Sequence, residues 1–189
     1  MADSSGKPRV LVLGGCGFIG RHLVTFLVEG KLASLIRVAD KVPPAMAWLN
    51  PKHRSAFDHP SVEYVSTNLL SAVSRGNAFA LEVGNWDFVI NLAAETKPNQ
   101  TEEVYHHGIV PLSLCCAQLA ASLKVGRFIE LSDGRIKTSP KKVVTFSCPF
   151  GSLLLIFCFR SGCSRVRPSG VVLHLSQVQI TGGEGTSCH

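Results

Sequence analysis

Acidic residues all but vanish from the last part of this chain. Residues 135–189 hold one, Glu184, against seven Lys and Arg, whereas residues 1–134 hold 12 of each sign. The net charge of +6 therefore belongs to a C-terminal segment and not to the bulk of the protein. A basic balance of that kind, with no aromatic residues interleaved and no reader motif, argues against nucleic-acid binding. No hydrophobic segment precedes the first apolar run: MADSSGKPR is polar, which argues against a secretory signal and for a cytoplasmic location. No CxxC or His/Cys spacing suited to a metal is present. The seven cysteines, with Cys115 and Cys116 adjacent, make a poor disulfide framework, and reduced thiols are the expectation. Internal repeats are absent. Only 17% of the residues are charged and 46% are apolar, which excludes a disordered chain, and 189 residues leave room for one sizeable core.

What is present is an alternation of short apolar runs with helical stripes. Arg9–Leu13 (RVLVL) reads as a strand buried on both faces, followed by a helix over Phe18–Glu29 with Gly30 as its stop. Leu35–Ala39 is a second buried strand ending at Asp40. Pro43 and Pro44 open a loop expected to run to about Pro60. Val62–Ser66 is a third strand, a weaker helix lies between about 70 and 82, and Asp87–Leu92 is a fourth strand. Thr101–Lys124 has helical periodicity interrupted by Pro111, and Arg127–Leu131 is a fifth strand. Strands alternating with helices pair in parallel through right-handed crossovers, so the expected fold is α/β, a doubly wound, mostly parallel Rossmann sheet.

The turn after the first strand reads Gly14-Gly15-Cys16-Gly17-Phe18-Ile19-Gly20. It satisfies GxGxxG, with one glycine for the tight turn, one for close backbone approach to a pyrophosphate and one for helix packing. The helix that starts there directs free N–H groups and its positive dipole end at the phosphates. Asp40 stands 20 residues past Gly20 at the end of the next strand, the spacing of a carboxylate that accepts adenosine ribose hydroxyls. A carboxylate at that point favours NAD over NADP, whose 2′-phosphate it would repel, although Lys41 is adjacent.

Through LGGCGFIGRHLV and VINLAA (89–94), residues 9–134 are similar to the extended short-chain dehydrogenase/reductases, the NAD-dependent epimerase/dehydratase family. The family opening TGGxGFIG differs here at Leu13 alone. The resemblance implies that Gly14, Gly17, Phe18, Ile19 and Gly20 surround the pyrophosphate and that Asp40 holds the ribose. It also implies that Asn68 and Leu69 border the adenine, where the family usually has Asp, and that Ala93, Ala94 and Thr96 line the cofactor behind the fourth strand. The reaction it implies is hydride transfer at an alcohol carbon of a sugar-nucleotide or hydroxysteroid-type substrate.

The family's catalytic pair resembles Tyr-x-x-x-Lys, in which the lysine lowers the phenol pKa for proton exchange. This chain has two tyrosines. Tyr64 lies in the third strand, and four residues after Tyr105 stands Ile109. Ser132 is the one match for the family's serine. Past Gly134 the alternation stops. Val143–Phe159 is a 17-residue uncharged stretch, short for a membrane span and broken by Pro149 and Gly151, so membrane contact there is not expected. One strand, Val171–Leu175, is placed beyond it.

The expected organisation is a cofactor-binding domain over 1–134 and a poorly ordered, basic, cysteine-containing tail over 135–189. Either the tail is a variant ending in place of the catalytic half, or the chain is a short divergent member whose tail packs on the sheet. The functional alternatives are a catalytically silent dinucleotide-binding module, a divergent active oxidoreductase, and a flavoprotein using the same fingerprint. His106–His107 read as surface residues, and Trp48 and Trp86 as packing residues.

Overall fold

The computed structural model describes residues 6–95, 101–133 and 155–159. Six strands form one parallel sheet: β1 (Arg9–Leu13), β2 (Leu35–Asp40), β3 (Val62–Ser66), β4 (Phe88–Asn91), β5 (Arg127–Asp133) and β6 (Leu155–Phe159). Their order is β3-β2-β1-β4-β5-β6. From β1 the chain winds one way to β2 and β3, then returns to the other side of β1 for β4, β5 and β6. The winding reverses between β1 and β4, and a crevice opens there at the carboxyl ends of the strands.

Alternate residues of β1 separate the two cores. Val10 and Val12 face one side, where Ile36 and Val38 of β2 pack with Val24 and Leu27 of helix α1 (Phe18–Glu29). Leu11 and Leu13 face the other, with Val89, Phe128 and residues of α3 (Ala72–Phe79) and α4 (Glu102–Ser122). A strand covered on both faces has no polar side left, which is why RVLVL carries none after Arg9. Trp86 is buried in the second core as expected, and its indole N–H donates to the Phe79 carbonyl at 2.9 Å.

Four expectations need correction. The stretch after Pro43 is not all loop: it holds a 3-10 turn at Pro44–Met46 and helix α2 at Pro51–Phe57. Asn50 caps α2, its side-chain oxygen accepting from the His53 N–H at 2.8 Å, and Pro51 occupies the first helical position where no N–H is needed. Trp48 is 91% exposed and packs no core. Pro111 does not interrupt α4, which runs through it unbroken. Reduced thiols hold for Cys16 and Cys116, which are free and buried, but Cys115 is disulfide-bonded.

Within the uncharged stretch, Leu155–Phe159 pairs in parallel with β5, a sixth strand that no alternation announced. The strand expected at 171–175 lies outside the described residues. Among the described residues no helix is long and apolar enough to cross a membrane.

Candidate cofactor site

The glycine loop leaves β1 at the point where the winding reverses. Gly14 has φ +76°, a left-handed conformation open to glycine, and its N–H donates to the Ala39 carbonyl at 2.8 Å. A Cβ at Gly14 would stand 2.8 Å from the Ala93 backbone nitrogen and 2.9 Å from its Cα. The loop and the exit of β4 therefore touch backbone to backbone, and Gly14, rather than Gly15, is the residue that the tight turn demands. At Gly15 a Cβ would meet Val38 Cγ1 at 2.7 Å, so that position serves packing on β2.

Gly20, on α1, would clash with the Gly14 carbonyl oxygen at 2.5 Å and with the Gly15 Cα, as the helix-packing glycine should. At Gly17 the one protein atom in reach of an added Cβ is the Gly14 carbonyl oxygen, at 3.2 Å. Gly17 is the N-cap of α1 and supplies no side chain to its first turn, which carries no acidic residue. The first-turn N–H groups have no intrahelical acceptors, an arrangement suited to an anion. Phe18 is 71% exposed and Ile19 39%, so two large apolar side chains stand at the mouth with solvent beside them.

Asp40 closes the other side. Its Oδ2 accepts from the Cys16 N–H and its Oδ1 from the Val42 N–H, each at 3.0 Å. The carboxylate thus ties the glycine loop to the end of β2, a structural role that sequence spacing does not reveal. Each oxygen keeps a further lone pair for a hydroxyl donor. Cys16 gives the site its backbone N–H and no nucleophile: burial, aided by the Asp40 charge, pushes its thiol up to about 12. Tyr64 donates its phenol to the Asp40 carbonyl oxygen at 2.8 Å, and burial raises its pKa.

The remaining sequence candidates divide. Asn68 is exposed, its side-chain oxygen accepting from the Leu70 N–H at 3.2 Å in a tight turn, while Leu69 is buried in the core. Ala93 is half-buried against Gly14, and Ala94 is exposed. Thr96 lies outside the described residues. Ser132 is in β5, paired with Cys158, and its side chain lies outside what is described.

Sequence reading missed a buried polar cluster behind Ala93. Asn91, 1% exposed, donates through Nδ2 to both oxygens of Glu130, at 2.8 and 3.1 Å. Its Oδ1 accepts from the Ala93 N–H at 3.2 Å, and Ser113 of α4 donates to Glu130 Oε1 at 2.9 Å. Burial pushes the Glu130 carboxyl up to about 7, against the two hydrogen bonds that favour its ionised form. A polar Asn and Glu inside otherwise apolar strands were the available signal. Among the described residues no group of three or more His, Cys, Asp or Glu side chains could hold a metal ion.

Strand order, glycine loop and carboxylate define a dinucleotide-type Rossmann crevice. The chain belongs to the NAD dependent epimerase/dehydratase family, whose model matches residues 10–132. No curated protein sequence matches it. Among solved structures it is similar to the Bordetella bronchiseptica enzyme WbmG in complex with NAD, at 18% identity and a TM-score of 0.58, over 80% of this chain and 46% of that one. It is also similar to dTDP-glucose 4,6-dehydratase from Streptomyces venezuelae with NAD and TYD bound, at 21% identity and a TM-score of 0.58, over 80% and 55%. A third is a UDP-galactose 4-epimerase, at 21% identity and a TM-score of 0.54, over 77% and 45%. The chain spans about half the length of these structures, and at such identities they establish the fold.

Proposed function

We propose that this chain binds NAD in the crevice between the carboxyl ends of β1 and β4. The observation that carries the proposal is the cradle at Gly17, where a missing side chain leaves the uncapped start of α1 open to a pyrophosphate. Asp40 accepts the adenosine ribose hydroxyls with the lone pairs its two N–H partners leave free. The same charge disfavours the 2′-phosphate of NADP. Phe18 and Ile19 supply apolar contact at the mouth, and the small side chains of Ala93 and Ala94 leave space behind β4. Family membership and the NAD bound to WbmG and to the dehydratase support this reading.

The assignment is of cofactor binding. Bound NAD would supply a hydride acceptor, and the family's chemistry then needs a proton partner beside the substrate carbon. Tyr64 does not serve, since its phenol is committed to the Asp40 carbonyl and its pKa is raised rather than lowered. Neither tyrosine is followed four residues on by lysine. Nucleotide-sugar substrates, as in the solved relatives, remain the substrate class for any assembly that adds such a partner. We place residues 1–134 as the binding unit and 135–189 as a separate segment apart from β6.

Calorimetric titration of NAD and NADP tests the proposal. NAD binds tighter, and Asp40→Ala weakens it by roughly 1–3 kcal/mol through loss of charge-assisted hydrogen bonds. Asp40→Asn, which keeps one acceptor oxygen for the loop, separates that loss from loosening of the loop. Tighter NADP, or no binding of either dinucleotide, overturns it.

A further inference from the structure

We propose that Glu130 is a positioning residue for the dinucleotide loop, acting through Asn91 to hold the Ala93 backbone against Gly14. The inference rests on the NAD-binding reading and names a residue that the glycine fingerprint does not contain. Three contacts form an unbroken chain. Glu130 takes the Asn91 amide nitrogen at 2.8 and 3.1 Å, the Asn91 oxygen takes the Ala93 N–H at 3.2 Å, and the Ala93 nitrogen is where a Gly14 Cβ would collide.

An amide has one acceptor end and one donor end, and here both are committed in opposite directions. With Glu130 anchoring the donor end, the acceptor end is fixed toward Ala93. Freed from Glu130, the amide can turn, and the wall of the loop loses its tether.

The anchor has two strengths. Ionised Glu130 accepts charge-assisted bonds from Asn91 and Ser113, whereas a protonated carboxyl keeps a weaker neutral bond to Asn91 and must turn its O–H toward Ser113. The titratable group that reaches it from α4 is Cys116, and Arg75 of α3 stands beside that thiol. Arg75 Nη1 is committed to the Leu69 carbonyl at 2.7 Å. Among the described residues the two ion pairs lie elsewhere, at Arg37–Glu63 and Lys52–Glu29. Burial, with no ion pair to Glu130 among the described residues, brings the carboxyl into the neutral range, so the switch between the two strengths falls at ordinary pH. NAD binding favours the tightly anchored, ionised form and by linkage releases protons.

The experiment is calorimetric titration of NAD from about pH 6 to about pH 8.5 with the full chain, Glu130→Gln and Ser113→Ala, in buffers of different ionisation enthalpy. Wild-type affinity rises roughly tenfold across that range, one pKa unit of linkage, and binding near neutrality releases protons. In Glu130→Gln the affinity is flat with pH and no proton is released. Ser113→Ala, which removes one donor favouring the ionised form, moves the midpoint of the profile upward. A merely structural Glu130 would alter stability and leave the profile in place. A flat wild-type profile, a Glu130→Gln profile that keeps its slope, or an unmoved midpoint in Ser113→Ala overturns the inference while NAD binding stands. Should Glu130→Gln not fold, the Ser113→Ala midpoint decides alone. No binding by the wild type at any pH overturns the NAD reading and this one with it.

Discussion

Gly17 and Glu130 show how much a single position can carry in this fold. At Gly17 an added Cβ would meet one protein atom, the Gly14 carbonyl oxygen at 3.2 Å, a tight contact that needs a small shift, and its φ of −67° suits any residue. Gly17→Val should therefore fold, with a modest loss of stability, and lose NAD affinity by at least about two orders of magnitude because its branched side chain occupies the phosphate path. Calorimetry beside a urea melt separates the two effects, and a folded variant with unchanged affinity would reduce the loop to a turn. Glu130 acts in the opposite sense on stability. Its folded pKa of about 7 lies above the ordinary glutamate value of 4.5, so the folded state favours the protonated form. That contribution is complete below about pH 4.5 and is lost as pH rises through about 7, at an order-of-magnitude cost of about 3 kcal/mol. Glu130→Gln should thus melt higher than the wild type at about pH 8, with the difference shrinking toward about pH 5. Equal melting temperatures at both pH values would contradict the assigned burial of that charge.

At the scale of elements, α2 is the instructive case. Pro43 and Pro44 read as the start of a long loop, yet Asn50-Pro51 is a cap followed by a first-turn proline. The helix has seven residues, too few to display an apolar period, and its stability comes from packing on α1, where the His22 and His53 rings meet edge to face at 4.6 Å. Asn50→Ala should cost about 1 kcal/mol in a denaturant melt and leave NAD affinity unchanged, because the capping bond lies within α2, whose His53 ring is separated from Phe18 by the His22 ring. An effect on affinity would show that α2 shapes the site. β1 and β2, central in the sheet, were legible as short apolar runs, whereas β3, at the sheet edge and half-buried along most of its length, was legible from alternation. β6 was not, since Leu155–Phe159 sits inside a longer uncharged stretch that offers no boundary. In the site, the glycines and Asp40 were legible from spacing. The tie from Asp40 to the Cys16 N–H and the Glu130–Asn91 cluster were not, because both depend on partners 24 and 39 residues away.

For the whole molecule, ligand and fold are coupled by mass action. NAD at about 100 times its dissociation constant should stabilise the chain by about 2.7 kcal/mol, a rise of roughly 5–10 °C in melting temperature, with a smaller rise for NADP at the same concentration. No shift with NAD would contradict binding to the folded state. The reversal of the winding also sets when the site can exist. β1 meets β2 across a short loop and helix, but it meets β4 only after the whole β2–β3 half has been made, with Leu13 opposite Asn91. During synthesis the glycine turn and its helix emerge early. The wall at Ala93 comes late, and the Glu130 anchor behind it later still. A nascent chain stalled before residue 93 holds the fingerprint without the pocket, so the ribosome releases a sequence that already spells its cofactor long before it can hold one.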